Sequence, residues 1–128
     1  MTDRWKLLNE INVMSSDALD ARACVPQDSI WFTGHFPGEP ILPGIALIHT
    51  VYEAIERDAQ VRGESVRLSS LRRIRFTGPV RPGEKLLLSL TSEDVNGMRL
   101  FHFKIAVEEN VVCSGLVAVS IIIKDKKV

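Results

Sequence analysis

Only one stretch of this chain repeats its apolar residues at helical spacing, and from Arg67 onward every segment reads as strand. Ile45, Ile48, Val51, Tyr52, Ile55 and Ala59 form the helical stripe, with His49, Glu53, Glu56 and Gln60 on the opposite side and Gly63 as the stop. Pro43 suits the first turn, because its missing N–H would have no helical partner. Leu68 to Thr77, Lys85 to Ser92, Met98 to Val107 and Val111 to Ile123 carry strand patterns. Gly78-Pro79, Pro82-Gly83, Asn96-Gly97 and Asn110 turn one into the next. Before the helix, Leu19, Ala21, Ala23 and Val25 alternate over Asp17 to Val25 as a half-buried strand. One helix against one antiparallel sheet is an α+β layer arrangement. The length of 128 residues suits a single domain over 1–128, since two cores of about 60 residues would each be marginal. Lys124 to Val128 reads as a frayed tail.

Charge narrows the range of partners. Sixteen basic and sixteen acidic side chains cancel, which argues against a strongly cationic nucleic-acid binder. The cancellation is uneven along the chain. Residues 62–85 hold seven basic side chains (Arg62, Arg67, Arg72, Arg73, Arg75, Arg81 and Lys85) and two acidic ones. Such a stretch suits an acidic partner held weakly and released, and it equally suits solvated arginines on a strand edge. The longest nearly apolar run, Gly115 to Ile123, is too short for the roughly 20 residues of a membrane helix. No export signal opens the chain, so the cytoplasm is the expected location. Cys24 and Cys113 have no metal-ligand spacing and read as free thiols; no metal site is expected.

The segment from Pro26 to Gly44 carries the chemistry. It holds four prolines and delivers the chain to the helix start. A long proline-punctuated loop in a small domain is usually functional. His35 stands in it, and an ordinary imidazole with a pKa near 6.5 suits a general base. The first N–H groups of the helix lack internal acceptors, and Gly44 lets a carbonyl oxygen approach them closely. A base beside such an oxyanion site can remove a proton next to a thioester. From the residues alone, a structural loop histidine fits as well.

The run Gly34-His35-Phe36-Pro37-Gly38-Glu39-Pro40-Ile41-Leu42-Pro43-Gly44 resembles the signature of the 3-hydroxyacyl-(acyl carrier protein) dehydratases of the FabZ/FabA type. Ile74 to Glu84, an Arg-Phe strand followed by Pro-Val-Arg-Pro-Gly-Glu, is similar to that family's second motif. The resemblance implies a hotdog fold, in which a curved antiparallel sheet wraps one long central helix. It implies that His35 works on the α-carbon proton and the leaving hydroxyl, and that the Gly44 N–H holds the thioester oxygen. Phe36, Pro37 and Gly38 would shape the substrate site, with the Phe36-Pro37 bond resembling one that is often cis. The implied substrate is an acyl chain on the phosphopantetheine arm of an acyl carrier protein, with no other cofactor. Arg72, Arg73, Arg75 and Arg81 become the candidate landing surface for that carrier. The family builds its sites across a homodimer, so a dimer or an assembly of dimers is expected.

Two departures stand out. The family places Glu or Asp fourteen residues after the motif histidine, where this chain has His49. Glu53 follows one turn later on the same face. Three readings stay open. His49 replaces the acid, although an ordinary imidazole is only about one-quarter protonated at pH 7. Alternatively, Glu53 reaches in from about 6 Å further along the helix. In the third reading, the acid is lost and the chain binds acyl groups without dehydrating them. A solvated surface histidine is the plain alternative at position 49. The second departure is that residues 1–34 lack the Leu-Pro-His-Arg-Tyr-Pro-like stretch of housekeeping members. That points to a specialised relative serving a secondary lipid or polyene pathway. A hotdog acyl thioesterase is the competing enzyme class.

Overall fold

The computed structural model describes residues 5–32 and 41–123. Its element order is β1 (Leu8–Ser15), β2 (Ala18–Cys24), a 3-10 turn (Ile30–Phe32), α1 (Gly44–Val61), β3 (Glu64–Phe76), β4 (Lys85–Val95), β5 (Met98–Val107) and β6 (Asn110–Ile123). The six strands form one antiparallel sheet in the order β1-β2-β4-β5-β6-β3. The α+β hotdog architecture expected from the resemblance is therefore present. The stretch expected to fray, Lys124 to Val128, lies outside the described residues.

Turn chemistry sets much of the register. Asn96 and Gly97 take φ of 52° and 81°, the pair of positive values that a tight two-residue hairpin requires. They join Val95 to Met98 across β4 and β5. Gly63, at φ 73°, closes α1 by donating its N–H to the Gln60 carbonyl at 3.1 Å. Alternation on β5 sends Phe101, Phe103 and Ile105 into the core, against Leu88, Leu90 and Val117. Phe101 is 1% exposed. Replacing it with alanine should lower unfolding free energy by about 3–5 kcal/mol, read from urea denaturation midpoints at unchanged slope.

The structure departs from the sequence expectation at three points. β1 was not anticipated: it is an edge strand whose residues after Leu8 are mostly exposed, so it carries no alternation to detect. Pro43 is not inside the helix but caps it, with φ −66° and ψ 146°, and Gly44 is the first helical residue. The buried arc of α1 also differs from the expected stripe. Ile45 is 62% exposed, whereas Glu53 and Asp58 are buried. The N-terminal segment explains the change, since it runs along the side assigned to solvent. The Arg57 Nη1 donates to the Asn9 carbonyl there at 3.2 Å. Asp58 survives burial because the Arg62 guanidinium meets it at 3.0 Å. Among the described residues, no helix is long and apolar enough to cross a membrane.

Candidate active site

The start of α1 is fixed from both sides. The Leu42 N–H donates to the Val80 carbonyl at 2.7 Å, tying the approach to the loop after β3. Helix geometry leaves the Gly44 N–H without an intrahelical acceptor, at the positive end of the helix dipole. The Phe76 ring lies over Gly44 so closely that a Cβ there would stand 2.7 Å from two ring carbons. A side chain at this position would have to displace the Phe76 ring, whereas glycine lets a ligand approach the amide closely. Beside it opens a cavity of about 310 Å3, lined by Ile41, Leu42, Leu47, Phe76, Pro79 and Val80. Such an apolar recess next to free N–H groups can take a thioester carbonyl with its acyl chain.

A second cluster forms on another face of the same helix. The His49 Nδ1 lies 3.5 Å from the Glu53 Oε1, joining two residues that the sequence had placed one turn apart. The His49 side chain is 39% exposed and that of Glu53 only 6%. The Trp31 ring packs against the imidazole at 5.8 Å between centroids, tilted by 58°. Trp31 is itself held by its indole N–H, which donates to the Trp5 carbonyl at 2.7 Å, and by edge-to-face contact with the Trp5 ring. His49 is thus a half-buried group in a built environment rather than the solvated surface histidine considered above. Sequence reasoning missed the contact of Trp31 with His49. Nothing in the local pattern signals a contact eighteen positions away.

Burial pushes the Glu53 carboxyl above its ordinary value, opposed in turn by His49, Lys6, Arg57 and the backbone N–H of Leu7. A carboxyl that binds its proton more tightly when folded confers stability that is complete at low pH. That stability is lost as pH rises through the raised value. Glu53→Gln removes the loss. Its melting temperature relative to the parent should therefore be more favourable at pH 8 than at pH 4.5, measured by thermal denaturation at both values.

The remaining candidates divide. His35, Phe36, Pro37 and Gly38, together with the Phe36-Pro37 bond expected to be cis, lie outside the described residues. Arg72, Arg73 and Arg75 are exposed and adjacent at a β-bulge in β3, where Arg73 takes φ 56°. Arg73 and Arg75 line a shallow groove of about 260 Å3 together with His102 and Lys104 of β5. Lys104 was not singled out, although its alternation with Phe103 and Ile105 already placed it on that outer face. Arg81 is separate: its N–H donates to the Glu84 carboxylate at 2.6 Å, and it lines a different cavity with Glu108 and Glu109.

A curved antiparallel sheet wrapped on one helix is the hotdog architecture. Residues 11–116 match the ApeI-like family, ApeI dehydratase, and the chain belongs to that family. It is 33% identical over 89 residues to the 3-hydroxyacyl-(acyl carrier protein) dehydratase FabZ of Syntrophobacter fumaroxidans, covering 66% of this chain and 60% of that one. It is 32% identical over 105 residues to the FabZ of Levilactobacillus brevis, covering 77% and 70%. Among solved structures, the dehydratase heterocomplex ApeI:P from Xenorhabdus doucetiae superposes with a TM-score of 0.67 at 24% identity, over 89% of this chain and 96% of that one. A thioesterase from Haemophilus influenzae gives 0.67 at 19% identity, over 91% and 80%. The fold is thus shared by both enzyme classes.

Proposed function

We propose that the protein removes water from a 3-hydroxyacyl thioester carried on an acyl carrier protein, giving the trans-2-enoyl thioester. One observation carries the reading: the residue in the family's acid position, His49, is a half-buried imidazole held between Trp31 and Glu53. His35 takes the proton from the α-carbon, and the Gly44 N–H stabilises the negative charge that develops on the thioester oxygen. The C–O bond breaks as His49 gives its Nε2 proton to the leaving hydroxyl, and water departs. The phosphopantetheine arm of the carrier presents the chain, and no further cofactor takes part.

Two copies build the site. Gly44 and His49 stand about 140° apart around α1 and about 7.5 Å along it, so one chain does not aim both at the same atom. β3 supports a paired arrangement. It is a long edge strand, 13 residues, on which Leu68, Leu71 and Phe76 stay exposed, with Ile45 of the helix also uncovered. A second copy seated there covers that apolar strip and brings its own His49 to the neighbouring Gly44. The carrier lands on Arg72, Arg73 and Arg75, where positive charge is concentrated.

The test is the reverse reaction. Adding the protein to a trans-2-enoyl thioester should abolish the ultraviolet absorbance of the conjugated double bond. No turnover above a His35→Ala control, with short and long chains alike, contradicts the reading. The fold likeness to thioesterases makes hydrolysis the second reading. Release of free thiol, detected with a thiol reagent, separates it from hydration.

A further inference from the structure

Glu53 faces two ways. On one side it meets His49; on the other it lines a polar cleft of about 170 Å3 together with Lys6, Glu56, Arg57 and Gln60. Its neighbours are charged on every element packed against it. His49, Glu56 and Arg57 come from α1, and Lys6 from the N-terminal segment, where the Leu7 N–H also points its dipole at the carboxyl. The His49 Nδ1 and both Glu53 oxygens are buried, and apart from the Leu7 N–H directed at the carboxyl no group among the described residues stands at hydrogen-bonding geometry to them. Buried polar atoms without partners are costly, and two of these stand 3.5 Å apart. A slight rotation of either side chain closes an ordinary hydrogen bond of about 2.9 Å between them.

We propose that Glu53 is a positioning residue for His49: it holds the ring by Nδ1, so that Nε2 faces the substrate, and it shares the proton that His49 discharges. The proposal rests on reading His49 as the acid of the dehydration. A lone imidazole carries its second proton on only a minority of molecules at neutral pH. The pair keeps one dischargeable proton whether it is written as carboxylate with imidazolium or as carboxylic acid with imidazole. When the Nε2 proton leaves with the hydroxyl as water, the pair is one proton short. It recovers that proton from bulk water through the cleft beside Lys6 and Arg57, while the base releases the α-carbon proton to solvent. Protons therefore balance over the cycle, and Glu53 never touches the acyl chain.

Two substitutions separate the two roles. Glu53→Leu removes the acceptor and fits a buried helical position. Glu53→Gln keeps an acceptor oxygen but cannot hold the proton. In nitrogen-15 spectra of the unliganded full chain, taken at a pH high enough that the pair has given up its dischargeable proton, the neutral His49 ring should be the Nδ1–H tautomer in the parent and in Glu53→Gln. In Glu53→Leu it should revert to Nε2–H. In enoyl-thioester hydration, Glu53→Gln should lower kcat roughly tenfold at unchanged KM, with partial recovery on adding imidazole buffer as a diffusible acid. Glu53→Leu should lower it roughly a hundredfold. An identical tautomer in the parent and Glu53→Leu overturns the positioning role. A parental rate in Glu53→Gln overturns the shared proton. The tautomer shift in a protein without hydration activity contradicts the dehydratase reading and leaves the His49–Glu53 contact standing.

Discussion

Hydration of a trans-2-enoyl thioester by the His49→Ala protein should run about 10²–10⁴ times slower than by the parent, the usual worth of a positioned acid or base. The size follows from the environment of His49. Its ring is packed against Trp31 and paired with a buried carboxyl, so removing it takes away the proton donor and one of the groups that offset the burial of Glu53. Folding should survive, because the ring is only half-buried. The companion variant His49→Glu places the family's ordinary acid at this position. It also sets two carboxylates one turn apart, with Glu53 already desolvated. Its rate should fall below the parent's, because the new carboxylate repels the residue that supported the imidazole. A gain over the parent would mean that the native pair is a defective acid. Initial rates at matched substrate saturation decide the matter.

The second large effect concerns Gly44. Gly44→Pro should lower kcat about 10²–10³-fold relative to Gly44→Ala, the usual cost of one lost oxyanion donor. The comparison is clean because the backbone tolerates both changes. Proline is favoured at the first helical position, and the preceding residue already has the extended conformation that a following proline requires. Both variants add a Cβ against the Phe76 ring, so this displacement is common to them. Only proline deletes the N–H. Equal rates for the two would remove the Gly44 amide from the mechanism. The measurement is kcat for enoyl-thioester hydration, with helix content checked by circular dichroism.

What could be read from the sequence follows from where the signal lies. The β4–β5 hairpin was legible because Asn96-Gly97 requires positive φ and because Phe101, Phe103 and Ile105 alternate with polar residues. The single helix was legible from its stripe, but its exact buried arc was not. A helical wheel assumes that one side faces water, whereas here the N-terminal segment lies along the presumed polar side and buries Glu53. That segment gave no warning, because β1 is an edge strand that buries little beyond Leu8. The arginine cluster was visible as composition, yet only the bulge at Arg73 and the pairing of β5 with β6 gather Arg73, Arg75, His102 and Lys104 around one groove. Gly44 was foreseen as a point of close approach. The reason packing adds, the Phe76 ring above it, depends on contacts across 32 positions.

The central claim is that one chain's His49 serves the Gly44 and His35 of another. Mixing two inactive variants tests it most directly. His35→Ala and His49→Ala proteins are unfolded together, refolded at equal concentration and assayed for enoyl-thioester hydration, with subunit mixing confirmed by native mass spectrometry. A shared site predicts recovery of about a quarter of the parental rate, since half of the dimers are mixed and each of those keeps one intact site. A mixture no more active than either variant alone, with mixing confirmed, would contradict the account.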